Sequence, residues 1–349
     1  MSAVRHHTVP SFLLGRFARD TDRGRLVCQL ETATGAAVQV SPRDVTVVKH
    51  FYSLDVDGAL HPIVEKTLGR IESGAAPIID QLCDVGADGL ATRPELPLHD
   101  RAKLALFIAS SRLRTPIWRE QTRSIFEQFT EFQSQTSGES DDAILSITEN
   151  ELIQQFISVC GHSGWVMCLL DWTFVRPESS PFILADTPVS VFDPTPKYPG
   201  SGAGVASSAN AELFAPLDPH LGLLTRPNSD RLTSIWDAAD KMARMPDAER
   251  WALVAEREGT VAEAIVTDRV VSDLNLRTYA HAQRYVYGSQ QAASDTRRAA
   301  KARPARVGAY SPPPPRLHLL EDDPDEPGVM RALRVFEAPT SLPARRRRS

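Results

Sequence analysis

Two adjacent imidazoles, His6 and His7, stand just ahead of the apolar segment Val9-Pro10-Ser11-Phe12-Leu13-Leu14-Gly15-Arg16-Phe17. A neutral imidazole can take a proton or ligate a divalent cation, so this pair is the densest chemical signal in the chain. Pro10 suits the start of a helix, and the residues before a proline are biased towards extended backbone. The imidazoles are therefore expected on an extended lead-in to a helix N-terminus, where free N–H groups favour an anion. Neighbouring side chains on a strand face opposite ways, so the two cannot share one metal unless the backbone turns. His7, on the same side as Val9, is the preferred reactive residue. The competing reading has one histidine hydrogen-bonded in the core and the other solvated.

Three further sets of residues could join them. Glu65 and Glu72 lie two helical turns apart on one stripe, where paired carboxylates can hold a cation or trade protons. Two solvated carboxylates on a surface helix would look the same. Arg112, Arg114 and Arg119 surround Pro116, which should break a helix, and could present guanidinium groups to an anion or pair with nearby acids. Asp186 interrupts the apolar run Pro181-Phe182-Ile183-Leu184-Ala185-Asp186-Thr187-Pro188-Val189. A buried charge is costly without a partner, so Asp186 is either functional or bonded to backbone beside Thr187-Pro188.

The elements that must position these groups read as α+β, a helical majority with short antiparallel strands or hairpins. Period-two alternation over 25–30 and 37–40, joined by Thr32-Ala33-Thr34-Gly35, predicts a hairpin. A short strand over 44–52 would end in an exposed Phe51-Tyr52 pair. Helical spacing predicts helices over 62–73, 75–83, 98–134 with a break at Pro116, 149–170, 247–258 and 261–279. Strands are expected over 171–176, 181–192, 213–219 and 221–225, with 195–210 a mobile Gly/Ser-rich loop.

The chain has 349 residues, 42% hydrophobic and 24% charged, with net charge −5. Residues 291–349 hold 12 Lys and Arg against 7 acids, while the preceding 290 hold 27 against 37. An acidic body argues against a broad nucleic-acid-binding face. Cys28, Cys83, Cys160 and Cys168 share no metal-ligand spacing and read as free thiols. No apolar run reaches the roughly 18 residues of a membrane span, so a cytoplasmic protein without a membrane partner is expected. One domain over 1–290 is followed by a Pro/Arg-rich disordered tail, 291–349. That tail carries Pro312-Pro313-Pro314-Pro315 and Arg345 to Arg348, which could bind a protein groove or a polyanion.

In order, His6-His7-Thr8-Val9-Pro10-x-Phe12-Leu13-Leu14, Phe51-Tyr52, Glu65 with Ile71-Glu72, Arg114-Thr115-Pro116, Asp186-Thr187-Pro188-Val189, Asn275 and Tyr285-Val286-Tyr287 form a recognisable series. Over most of residues 5–290 the chain resembles the domain-of-unknown-function family numbered 4238. Thr8, Ser11 and Ala185 replace that family's usual tyrosine, glutamine and serine. The resemblance implies one bacterial, cytosolic domain and brings no assigned reaction.

Two functions fit these residues. In the first, His7, His6, Glu72 and Asp186 are catalytic, and His7, Glu72 and Asp186 ligate a divalent metal ion that activates water. Arg114 and Arg16 hold the substrate, and the reaction is hydrolysis of a phosphodiester or related bond in an anionic small molecule or a nucleic acid. The His-His-x-Val-Pro opening is similar to that of some His-Asn-His endonucleases, but the later Asn and His are missing. In the second function the same His, Asp and Glu residues are structural in a non-catalytic binding or scaffold protein.

Overall fold

The computed structural model describes residues 5–86, 88–90, 96–137, 147–193, 211–228 and 245–310. In chain order the elements are β1 (Arg5–His7), α1 (Ser11–Arg16), β2 (Arg19–Thr21), β3 (Gly24–Glu31), β4 (Ala37–Val40), β5 (Val47–Lys49), β6 (Leu54–Val56) and β7 (Ala59–His61). Four long helices follow: α2 (Ile63–Cys83), α3 (Leu98–Leu113), α4 (Pro116–Ser137) and α5 (Glu149–Leu169). Next are β8 (Asp171–Pro177), β9 (Leu184–Ala185), β10 (Ser190–Phe192), β11 (Glu212–Asp218) and β12 (Leu221–Arg226). The chain continues through α6 (Asp247–Arg257), β13 (Val261–Val266), α7 (Asp268–His281), β14 (Tyr285–Gly288), α8 (Gln290–Ala302) and α9 (Pro304–Tyr310). The fold is α+β, as the alternating patterns predict.

One five-stranded sheet runs β10-β11-β12-β8-β13, antiparallel except for β13, which lies parallel to β8. Its two faces are both apolar, which explains why β8, β11 and β12 read as near-continuous hydrophobic runs. Trp172, Phe174, Leu213, Ala215 and Leu223 face the main core with helices α1, α2, α3 and α5. Val175 and Phe214 face the other way, onto Val271 and Leu274 of α7. The β11–β12 turn is fixed by Asp218, whose carboxylate accepts the His220 N–H at 3.0 Å. A second sheet runs β2-β3-β14-β9, with β4 paired to β3, and two short pairs join β1 to β5 and β6 to β7. Among the described residues no helix is long and apolar enough to cross a membrane.

Four expectations change. Residues 63–83 form one helix despite Pro77. The predicted helix 261–279 divides, because Val261–Val266 pairs with β8 before α7 begins. Between Pro181 and Phe192 only Leu184–Ala185 and Ser190–Phe192 are strand. The folded region also extends past 290. Ser289 caps α8 by accepting the Ala292 N–H at 3.1 Å, and Ala293 packs with Leu30, Ile183, Ala185 and Val286. Tyr310 then buries against Leu276 and Ala300. The stretch 195–210 and the tail beyond Tyr310 lie outside the described residues.

Candidate functional site

The extended lead-in forms as β1, pairing with β5 in the register His6↔Val48 and His7↔Val47. Strand alternation then turns His6 fully into the core and leaves His7 half-buried. Nδ1 of His6 accepts the Tyr52 N–H at 2.7 Å, so the proton of the neutral ring sits on Nε2, which is buried without a partner. Burial, with smaller electrostatic contributions from its neighbours that include Arg114 and Arg119, pushes the His6 pKa down to about 4. His7 adopts the opposite tautomer. Its Nδ1 lies 3.2 Å from the Val45 carbonyl, which can only accept, so Nδ1 carries the proton and Nε2 keeps a lone pair. Burial lowers the His7 pKa, and Arg114 adds to that effect while the Val45 hydrogen bond and Glu72 oppose it.

Arg114, immediately after α3, ties the site together. Its Nε and Nη2 donate to the His7 carbonyl at 3.2 and 2.5 Å, and Nη1 donates to Glu72 Oε1 at 2.6 Å. The Arg114 carbonyl in turn accepts the Tyr52 hydroxyl. The Pro116 break is what makes this work, because it ends α3 with Arg114 1% exposed beneath β1. Arg119, one turn into α4, donates to the Phe51 carbonyl and pairs with Glu149 at 2.9 Å, its guanidinium 3.8 Å from the Phe51 ring centre.

Glu65 and Glu72 do share the α2 face turned to this cluster. Glu72 is neutralised by Arg114, while Glu65 has its Oε2 buried with no hydrogen-bond partner. Burial raises the Glu65 pKa; Arg114 works against the rise and Glu72 adds to it. Both histidines and Glu65 lie in the field of Arg114, with burial favouring the neutral form of each.

The structure brings His6, His7, Glu72 and Arg114 together, but not Asp186. Both Asp186 oxygens are occupied by backbone, accepting the N–H groups of Gln283, Arg284 and Tyr285 at 2.8, 2.8 and 2.9 Å. Its carboxylate fixes the end of β9 to the start of β14, which is the backbone-bonding alternative. Burial raises its pKa against the opposing pull of these hydrogen bonds. The ligand set His7, Glu72 and Asp186 is thus not assembled: one carboxylate serves backbone and another serves Arg114. Among the described residues no group of three or more His, Cys, Asp or Glu side chains could hold a metal ion.

Arg114 and Arg16 are not open to a substrate in the way expected of them. Arg114 is spent as above. Arg16 donates to Asp80 and to the Ala76 carbonyl at 3.5 Å, with Asp218 at 3.9 Å, which ties α1 to α2 and β11. The Phe51-Tyr52 pair is buried, not exposed, with Tyr52 stacked on His6 at 5.8 Å between ring centres. Tyr52 was not foreseen as part of the site, and Glu65, paired with Glu72 from the sequence, was given no catalytic or metal role. The seven-residue spacing from Glu72 was the available signal for Glu65, whereas nothing local marks Tyr52.

The model of a family described as protein of unknown function (DUF4238) matches residues 5–292. The chain belongs to DUF4238. No curated protein and no solved structure matches the chain. The DUF4238 region contains every residue of the His6–Arg114 cluster and the whole Asp186 anchor, and it ends within α8. The rest of α8 and α9 therefore lie beyond the family's span.

Proposed function

We propose that this DUF4238 chain is a hydrolase working by acid–base chemistry on a phosphodiester or related anionic ester. One observation carries this reading: His7 presents an unprotonated Nε2 in the same charged cluster in which Glu65 keeps an unpartnered carboxyl of raised pKa. His7 would take a proton from water as it attacks, and Glu65 would give one to the leaving oxygen. Arg114 and Glu72 position these groups, Arg114 by holding the His7 carbonyl. Because the donor set does not fit a metal, no step is assigned to one.

The test is a screen of the purified chain against chromogenic phosphodiesters and oligonucleotides, with His7→Gln and Glu65→Gln beside wild type. A loss of about 10²–10⁴-fold in rate for each variant is expected. Wild type inert on every substrate, or variants as active as wild type, overturns the hydrolase. A second reading, a non-catalytic binding protein, is favoured by the engagement of Arg114 and Asp186 with backbone. It is the outcome if the fold is intact and no turnover is found.

A further inference from the structure

Three non-glycine residues among those described have left-handed backbone: Thr46, His50 and Asp57, with φ of 57°, 56° and 53°. Two are ordinary. Asp57 precedes Gly58 in the tight β6–β7 turn, and His50 opens the turn in which its carbonyl accepts the Ser53 N–H at 3.1 Å. Aspartate and histidine tolerate this conformation, whereas a β-branched side chain makes it a true outlier. Thr46 is such a residue, and it sits one step before β5, next to the residue whose carbonyl holds the His7 ring.

Three hydrogen bonds hold Thr46 in place. Its hydroxyl donates to the Val9 carbonyl at 3.1 Å, and its carbonyl accepts the Thr8 N–H at 2.8 Å and the Thr8 hydroxyl at 3.2 Å. Thr8 and Val9 are both buried, so these bonds are sheltered from water. The φ of a residue orients the rigid peptide plane before it, so Thr46 decides where the Val45 carbonyl points. Successive carbonyls of an extended strand point to opposite sides. With Thr46 left-handed, the Val45 and Thr46 carbonyls instead serve neighbouring residues of one segment. Val45 takes the His7 ring at 3.2 Å, and Thr46 takes Thr8.

The tautomer of a histidine is set by the bond its other nitrogen makes, and here that bond is the one from Nδ1 to Val45. Backbone strain persists only where the surroundings over-determine it, and it collects at functional sites. We propose that Thr46 is a positioning residue for His7: its left-handed backbone, held by Val9 and Thr8, aims the Val45 carbonyl at Nδ1 and so fixes the ring with Nε2 unprotonated. The use of that nitrogen as a base rests on the hydrolase reading; its tautomer does not.

The full chain carrying nitrogen-labelled histidine reports the tautomer by NMR, above the titration range of His7, whose signals are assigned by their loss in His7→Gln. Wild type should show a protonated Nδ1 and a bare Nε2, well separated. Thr46→Val keeps the shape but loses the hydroxyl that holds the strained φ. The Val45 carbonyl should then turn away, and the two ring signals should move towards their mean. Asparagine tolerates left-handed backbone without that hold, so Thr46→Asn should keep the wild-type pattern. Should Thr46→Val fail to fold, Thr46→Ala carries the same test, since alanine also lacks the hydroxyl and is strained at this φ. If neither folds, Thr46 holds the fold and not the ring, and the proposal falls. A wild-type ring protonated on Nε2, a Thr46→Val spectrum like that of wild type, or a lowered Tm with the tautomer unchanged also overturns it. So does loss of the pattern in Thr46→Asn, which would assign the effect to the hydroxyl and not to the backbone. Where turnover is found, kcat should fall in Thr46→Val in step with the lost tautomer while KM holds. A wild type inert on every ester removes the hydrolase and leaves the tautomer result to decide the role of Thr46.

Discussion

Arg114 grips the backbone carbonyl of His7 with two of its nitrogens, across 107 residues of sequence, and turns the third to Glu72. The placement of the leading strand therefore depends on a side chain at the end of α3. Arg114→Met leaves Glu72 without its cation and the His7 carbonyl without donors. A loss of about 3–5 kcal/mol is expected from breaking such a buried pair. Urea unfolding followed by far-UV circular dichroism measures it, and a loss below 1 kcal/mol, roughly a surface pair's worth, would show that the clamp is not needed.

Asp186→Ala removes the acceptor for three backbone N–H groups at the β9–β14 junction. Each charge-assisted bond contributes about 1.5–3 kcal/mol, with partial replacement by water, so a net loss of roughly 3 kcal/mol is expected. Amide exchange of Gln283, Arg284 and Tyr285 should quicken in the variant. If catalysis instead used Asp186, activity would fall in Asp186→Asn with exchange unchanged.

The acid limb of stability follows from His6. An unfolded histidine titrates near 6.5 and His6 near 4, so between these values the unfolded chain binds a proton that the folded chain does not. Stability contributed by neutral His6 is thus complete above pH 6.5 and is lost as the pH falls towards 4, by about 3 kcal/mol in full. His7 and His281 are shifted the same way and steepen the same limb. Glu65, its pKa raised, acts in the opposite sense, its contribution weakening as the pH climbs above the usual carboxyl range. His6→Gln should flatten the curve between pH 4 and 6.5. A wild-type stability independent of pH there would contradict the burial of the neutral ring.

The described fold runs past 290, through α8 and α9 to Tyr310. A chain cut after Ser289 exposes the apolar set Leu30, Ile183, Ala185 and Val286, which Ala293 helps to cover. It also loses the bonds from Arg297 to the Thr32 and Ala33 carbonyls at 3.3 and 3.2 Å. It should unfold several degrees below a chain cut after Tyr310, as read by calorimetry. Equal transitions would mean that α8 and α9 are accessories.

Local chemistry made part of this legible. Turn residues at 32–35 marked the β3–β4 hairpin, helical spacing marked α5, and Pro116 marked the break after α3. The Val261–Val266 stretch was misread because Ala and Glu carry helical preference, and only the parallel pairing with β8 decides for strand. The demand of Asp186 for partners was readable, but those partners lie 97 to 99 residues away, where no spacing points. Tyr52 was read as exposed because its burial comes from His6, Phe156 and Arg114, three separate parts of the chain. In the C-terminal region, the prolines and arginines past 310 masked the alanine-rich face of α8.

The register of β3 against β14 sets Glu31 beside Tyr285 and Cys28 beside Gly288. On the ribosome, an early hairpin must therefore wait with one flank open until roughly 250 more residues have emerged, since domains complete only when their last strand arrives. During that interval the unpaired flank is a place where a chaperone, or another nascent copy, can dock.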